Sequence, residues 1–448
     1  MTYLDIVNLV FGILGGFLSL LAIHFILFAI VGIFARKKFP KTDEKLKYGL
    51  IIPARNEEAV VGKLIESIQR ANYPQDKLHI FLIAHNCTDG TADVGRSLGA
   101  TVYEYNNPEE CTMGYAFRYL FDRISEDYGI DNYDGFFLFN ADNIVDENFF
   151  DKMNDAFVAE DRKSIITSFR NSKNFGTNTM SACYGLYFAY GCRYESRGRS
   201  VIGCSTRVQG TGYVVPRELV KDGWKYVTLT EDWEFTADRV IENQTIVFCD
   251  EAMFYDEQPL SIKVMIRQRL RWARGHLLVC TTRLKDLFCS LFKSKKKGGS
   301  AHKFSTYDLS INILPVCVIA TVFFLLQTVA VLLAPAFFPQ EYNFVDVLLT
   351  HLFGIARGFV GTYAGLALAS ILLYILERKR IRKVGILTRI TSVLVFPIFL
   401  LLSAPLEVCS LFMKNLGWKP IPHGDNSNVH ELMNTEPEAE AKTEQISE

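Results

Sequence analysis

The stretch Phe136-Phe137-Leu138-Phe139-Asn140-Ala141-Asp142-Asn143 decides the fold: an apolar run of strand type stops at a polar turn. The same figure occurs upstream. Leu50-Ile51-Ile52 precedes Pro53-Ala54-Arg55-Asn56-Glu57, and Ile80-Phe81-Leu82-Ile83 precedes His85-Asn86-Cys87-Thr88-Asp89-Gly90. Thr101 to Tyr105 reads as a further strand. Amphipathic stretches follow the strands: Glu58 to Gln69, Thr91 to Leu98, one from about Gly114, and Glu147 to Val158. This alternation predicts an α/β domain from Tyr48 to about Asp256, with a mainly parallel sheet covered by helices on both faces. Ligands of such sheets bind beyond the carboxyl ends of the strands, where the three polar turns fall.

Outside this domain the texture is that of a membrane protein. Ile6 to Phe34 is almost continuously apolar, and about 20 such residues span a bilayer as a helix. It is too long for a signal-peptide core and no small-residue cleavage site follows, so it reads as an anchor. His24, inside it, reads as a hydrogen-bonded or interface-facing side chain. Arg36, Lys37, Lys38, Lys41, Lys45 and Lys47 follow at once, which predicts a cytosolic end. Three more apolar segments run from Leu309 to Phe338, Phe344 to Leu376 and Gly385 to Met413. Gln340-Glu341-Tyr342 carries no base, whereas Glu377-Arg378-Lys379-Arg380-Ile381-Arg382-Lys383 is strongly basic. That asymmetry puts the first loop outside and the second inside. Pro397 and Pro405 interrupt the last segment and leave the side of the C-terminus open.

Between domain and segments, Gln258 to Phe292 is basic and amphipathic, with Arg267, Arg269, Arg271, Arg274 and Arg283, and Lys293 to Lys297 continue the charge. It reads as an interfacial helix on anionic lipid. The expected organisation is thus an anchor over 1–35, a soluble domain over 48–257, amphipathic helices over 258–300, membrane segments over 307–413 and a disordered acidic tail over 425–448. The net charge of -1 gives a nucleic-acid partner no support. The 10 cysteines lack metal-type pairing and read as reduced thiols.

The chemistry is sought first in Thr228-Leu229-Thr230-Glu231-Asp232-Trp233-Glu234. Adjacent carboxylates at a helix start suit a general base that takes a proton from an attacking hydroxyl. They also suit plain capping, with Thr230 as N-cap and acids in the first turn. Asp142, at a strand end, suits a divalent cation on a diphosphate, and Asn-Ala-Asp-Asn equally suits a turn.

Taken together, these pieces resemble the membrane-embedded family 2 glycosyltransferases, the group of the cellulose, hyaluronan and poly-N-acetylglucosamine synthases. Pro53-Ala54-Arg55-Asn56-Glu57 looks like their first nucleotide-binding loop. Asn140-Ala141-Asp142 stands where they have Asp-x-Asp, Thr230-Glu231-Asp232 matches Thr-Glu-Asp, and Gln268-Arg269-Leu270-Arg271-Trp272 matches Gln-x-x-Arg-Trp. The resemblance covers Leu50 to His276. It implies a nucleotide-sugar transferase domain of GT-A type inserted between transmembrane helices, and an inverting mechanism. Glu231 and Asp232 would be the catalytic carboxylates, Asp232 as base. Asp142 would hold Mg2+ or Mn2+. Ala54, Arg55, Glu57, His85, Asn140 and Arg271 would bind the donor, a nucleotide sugar such as a UDP-sugar. Gln209, Gly210, Thr230, Gln268 and Trp272 would bind the acceptor, a growing β-linked polysaccharide. The alternatives are single transfer to a lipid-linked acceptor, or a silent scaffold beside accessory synthase subunits. Departures from the pattern are His85 and Asn140, where the family has Asp, and Met113, where it often has Lys.

Overall fold

The computed structural model describes residues 1–292, 300–381, 384–413 and 423–424. The basic run Lys293–Lys297, Arg382 and Lys383, and the acidic tail from Asp425 lie outside the described residues.

The elements in chain order are α1 (Tyr3–Ala22), α2 (His24–Phe34), β1 (Tyr48–Ala54), α3 (Val61–Gln69), β2 (Leu78–His85), α4 (Thr91–Ser97), β3 (Thr101–Tyr105), α5 (Met113–Asp127), β4 (Gly135–Leu138), β5 (Ile144–Val145), α6 (Phe149–Ala159), β6 (Ile165–Ser172) and α7 (Thr179–Tyr190). One turn of π-helix (Gly191–Ser196) leads into α8 (Arg197–Val201), β7 (Tyr213–Pro216), α9 (Glu231–Ile241), β8 (Ile246–Asp256), α10 (Ile262–Ser290) and α11 (Ser300–Ile313). The last helices are α12 (Val316–Phe337), α13 (Phe344–Leu376), α14 (Ile386–Leu401) and α15 (Ser403–Leu411).

The sheet order is β3-β2-β1-β4-β7-β6-β8-β5. Strands β3, β2, β1 and β4 are parallel, as expected. The other half is mixed: β7 runs antiparallel to both neighbours, and β5 is antiparallel to β8. Strand side chains alternate between faces, so Leu50 and Ile52 enter one core with Leu64 and Phe149. Ile51, Phe81 and Phe136 enter the other with Phe117, Phe121 and Trp224. Burial on both faces explains why these strands read as unbroken apolar runs.

Of the boundaries that differ from expectation, two have a local cause. The helix expected from Glu58 begins at Val61, because Glu57 to Val60 form a turn first. The segment expected from Leu309 begins at Val316: Leu309 to Ile313 complete α11, and Pro315, which has no N–H to donate, separates the two helices.

Among the described residues, four helical segments are long and apolar enough to cross a membrane: Tyr3–Phe34, Val316–Phe337, Phe344–Leu376 and Ile386–Leu411. Their two ends are marked by different contacts. At one end Tyr3 donates its hydroxyl to the Ala330 carbonyl (3.0 Å), and the Leu4 N–H points to the Tyr342 hydroxyl (3.4 Å). At the other, Arg197 donates to Asp250 (3.0 Å), Arg380 lies 3.1 Å from the same carboxylate, and Arg193 donates to Glu377 (2.7 Å). Arg36 joins them, 3.8 Å from Asp250. Burial alone would raise the Asp250 carboxyl, but Arg380 and Arg197 hold it below its usual range. This ionic knot binds the ends of α2 and α13 to β8, so the α/β domain and both basic loops lie on one side.

A second buried contact fixes α2 along its length. His24, at the head of α2, sits 2.9 Å from Asp308, which also takes Arg199 at 2.7 Å. Gly32 and Gly198 permit the close crossing, since a Cβ on Gly198 would meet the Phe28 carbonyl oxygen at 2.1 Å. Nothing in the local sequence pairs these residues.

The long basic helix α10 also departs from expectation. Arg269 donates to the Phe399 carbonyl and to Ser403, Arg271 to the Leu229 carbonyl (2.6 Å), and Arg283 to Asp238 (2.6 Å) and Glu234 (3.0 Å). Three of the five arginines expected at lipid therefore bind protein, because α9 and α15 flank the helix. All ten cysteines are free thiols.

Candidate active site

The carboxyl edge of the sheet gathers the assigned residues. The turn after β1 brings Arg55 and Glu57 beside Ala54. β2 ends on His85, and the turn after β4 carries Asn140 and Asp142. β7 runs the opposite way, so the segment that leads into it, with Gln209 and Gly210, reaches the same edge. Thr230, Glu231 and Asp232 open α9, and Gln268, Arg271 and Trp272 stand on α10. Every one of these side chains or backbones lines one cavity of ≈ 700 Å³.

The first two turns are tied together. Asn56 and Asn86 take left-handed backbone (φ 58° and 54°), a conformation asparagine tolerates better than most residues. The Asn56 side chain then accepts the Thr88 N–H at 2.7 Å. His85 is held by the Glu110 carbonyl (2.6 Å) and stacks on Tyr105 at 5.5 Å. Burial lowers its pKa, so the ring is neutral.

Glu231 is buried and Asp232 half-buried beside it at the head of α9. Burial, reinforced by the charge of Asp232, pushes the Glu231 carboxyl up to about 8. Burial also raises Asp232, and the Trp233 N–H, Arg271 and Arg170 pull it back. At neutral pH Glu231 thus keeps its proton beside Asp232, an arrangement that suits proton transfer. Asp232 Oδ1 accepts the Trp233 N–H at 2.9 Å. A Cβ on Gly210 would stand 3.6 Å from Asp232 Oδ2, and its φ of 78° favours glycine. Thr230 departs from the capping expectation: it occupies the N-cap position, but its hydroxyl makes no cap hydrogen bond. That hydroxyl lies over Gly275, buried and without a partner, as is the amide oxygen of Gln209. Both residues line the cavity.

Asp142, only 5% exposed, accepts the Glu257 N–H on Oδ2 (3.0 Å) and the Asn143 amide on Oδ1 (3.2 Å). Among the described residues no three His, Cys, Asp or Glu side chains converge tightly enough to hold a metal ion by themselves. Asp142 fits the other pattern, in which one carboxylate, phosphates and waters make the shell. A cation stand-in supports the fit. His423 lies 2.9 Å from Glu57 and 4.0 Å from Asp142. Although burial opposes it, the charges of Asp142 and Glu57 lift this imidazole to about 9. Next to this group, burial, opposed by Arg170 and helped by Asp142, lifts Asp256 to about 6.

On α10, Gln268 accepts from the Tyr184 hydroxyl (2.7 Å), and Trp272 lies nearly parallel to Tyr187 at 6.3 Å. Several lining residues escaped the sequence analysis: Glu195, Arg170, Arg207, Asp256, His276 and His423. His276 alone had a signal, since it stands one helical turn beyond Trp272.

A sheet of this topology with acidic turns at its carboxyl edge is of GT-A type. The profile of glycosyltransferase like family 2 matches residues 46–275, and the chain belongs to that family. Its fold is similar to that of a mannosyltransferase from Pyrobaculum calidifontis solved with GDP-Man and Mn2+, with a TM-score of 0.56, 13% identity, and 90% of this chain and 99% of that one covered. It is 26% identical over 286 residues to the probable glycosyltransferase YdaM of Bacillus subtilis, covering 58% of this chain and 62% of the relative. It is 24% identical over 235 residues to a beta-monoglucosyldiacylglycerol synthase of Synechocystis, covering 50% and 47%. The chain thus spans about half to three fifths of the length of these relatives.

Proposed function

We propose that the protein moves one hexose, with inversion, from a UDP-sugar to a hydroxyl of a lipid acceptor at the cytosolic face of a membrane. The observation that carries this reading is the reach of the cavity. From Asp142 and Asp232 it continues to Leu18 and Ala22, to Val316 and Ile319, and to Leu406, side chains of three membrane-capable segments. An acceptor anchored in lipid reaches the base by that path. The lipid product in the name of the Synechocystis relative supports the same acceptor class.

In this reading Asp232 takes the proton of the attacking hydroxyl while Thr230, Gln209 and Gly210 hold the acceptor. Glu231, protonated, keeps a second negative charge away from that proton transfer. Arg271 faces the leaving diphosphate, and Ala54, Arg55, Glu57, His85 and Asn140 surround the nucleoside. Gln268 and Trp272 cover the sugars, an indole being suited to a sugar's C–H face. Asp142 would hold Mg2+ or Mn2+, which supplies charge neutralisation on the diphosphate.

The test is product analysis with purified protein, Mn2+, a panel of UDP- and GDP-sugars, and both lipid and oligosaccharide acceptors. A single-sugar lipid is the expected product. A ladder of β-linked oligomers would establish the polysaccharide reading instead, and absence of nucleotide release with every donor would leave a scaffold subunit.

A further inference from the structure

Between Asp232 and the membrane helices the cavity wall is a ring of polar side chains with no role in the reaction so far: Glu195, Arg207, Trp233, His276 and Asn312. Arg207 holds the ring together. Its guanidinium lies 3.0 Å from Glu195, donates to Asn312 at 3.4 Å, and covers the Trp233 ring at 5.1 Å. Trp233 meets His276 edge to face at 4.8 Å. Because Trp233 directly follows Asp232, one helical turn sets both the base and the aromatic face.

The ring has no net charge. Glu195 lies between Arg207 and Arg199, Asp308 takes the other side of Arg199, so two arginines face two carboxylates, and burial pushes His276 down to about 4, so it is neutral. The neighbouring cations are committed elsewhere. Arg170 is held by Asp256 and Arg269 by the Phe399 carbonyl and Ser403, while Arg271, tied to the Leu229 carbonyl, turns the rest of its guanidinium to the donor diphosphate. Further towards lipid the wall adds another carboxyl side chain, Glu407. A phosphate seeks a free guanidinium or ammonium, and this path offers it carboxyl groups and paired arginine. Hydroxyl groups find donors, acceptors and an aromatic face.

We infer that this ring seats the headgroup of an uncharged lipid acceptor carrying free hydroxyl groups, and that it turns away lipid phosphates. The inference rests on the lipid-acceptor reading above. Trp233 and Arg207 act as specificity-determining residues: they touch the acceptor and leave the donor end of the cavity to other side chains.

The experiment uses the full chain in nanodiscs, with Mn2+ and the donor that releases nucleotide. 1,2-Dioleoylglycerol and undecaprenyl phosphate compete at equal mole fraction. Labelled sugar is expected on dioleoylglycerol, by a margin of about tenfold or more, equal to 1.4 kcal/mol. Trp233→Leu is expected to raise the dioleoylglycerol KM about tenfold while the donor KM moves less than about twofold. Glu195→Gln uncovers the charge of Arg207 and is expected to shrink the preference for the neutral lipid about tenfold. Preferential labelling of undecaprenyl phosphate by the unmodified protein overturns the neutral seat but keeps the lipid reading. An unchanged preference in Glu195→Gln also overturns it, even if Trp233→Leu fails to fold. Label on soluble oligosaccharide alone overturns the lipid reading itself.

Discussion

Arg271 Nη1 donates to the carbonyl oxygen of Leu229 at 2.6 Å, which ties α10 to the turn carrying Glu231 and Asp232. One arginine thus fixes the carboxylate pair and keeps the rest of its guanidinium beside it. Arg271→Ala is expected to lower kcat/KM by about 10²–10³-fold, the usual loss for one electrostatic contact to a reacting group. Arg271→Lys restores charge without the planar fork, so rescue should be partial. Steady-state nucleotide release from both variants is the measurement.

The pair itself makes an asymmetric prediction. Asp232→Asn removes the base and should cost about 10²–10⁴-fold in kcat. Glu231→Gln replaces a group that is already protonated at neutral pH, and should cost less than about tenfold. Because Asp232 is raised above 3.8, kcat/KM should climb with pH through that raised value before it levels.

Stability carries the same signature. Folded Glu231 keeps its proton up to about 8, whereas the unfolded chain releases it near 4.5. The folded state therefore binds more protons in between, and stability falls as pH rises across that window. Glu231→Gln should flatten the slope, read as the difference in thermal midpoint between acidic and alkaline buffer.

Asp142→Asn should raise the Mn2+ concentration for half-maximal activity by about tenfold or more, since a single carboxylate anchors the ion in such shells. EDTA should silence the unmodified protein, and Mn2+ or Mg2+ should restore it.

Asp250→Ala strands Arg197 and Arg380 in the interior. Breaking a buried pair costs about 3–5 kcal/mol, so the thermal midpoint in detergent should drop, with no change in donor KM for protein that stays folded.

The legible part of the fold was the half where both sheet faces are covered. There Leu50 to Ile52, Ile80 to Ile83 and Phe136 to Phe139 announce themselves as apolar runs. Ile165 to Ser172 mixes polar and apolar residues, and β5 has two residues, so neither carries a strand's pattern. The candidate site was legible because strand ends concentrate it into short motifs. The ring around Arg207 was not, because Glu195, Trp233, His276 and Asn312 come from four distant stretches. The knot at Asp250 was equally silent: its arginines 197 and 380 are separated from it by 53 and 130 residues.

That knot fixes an altitude. With β8 riveted to the ends of α2 and α13, Asp232 stands at a fixed distance from the membrane-capable helices. On the lipid-acceptor reading proposed above, a hydroxyl must rise to that height, and the sugar it receives moves the next free hydroxyl farther from the hydrocarbon anchor. The rivet would then work as a gauge of headgroup height, with bilayer thickness a variable of the reaction alongside substrate concentration.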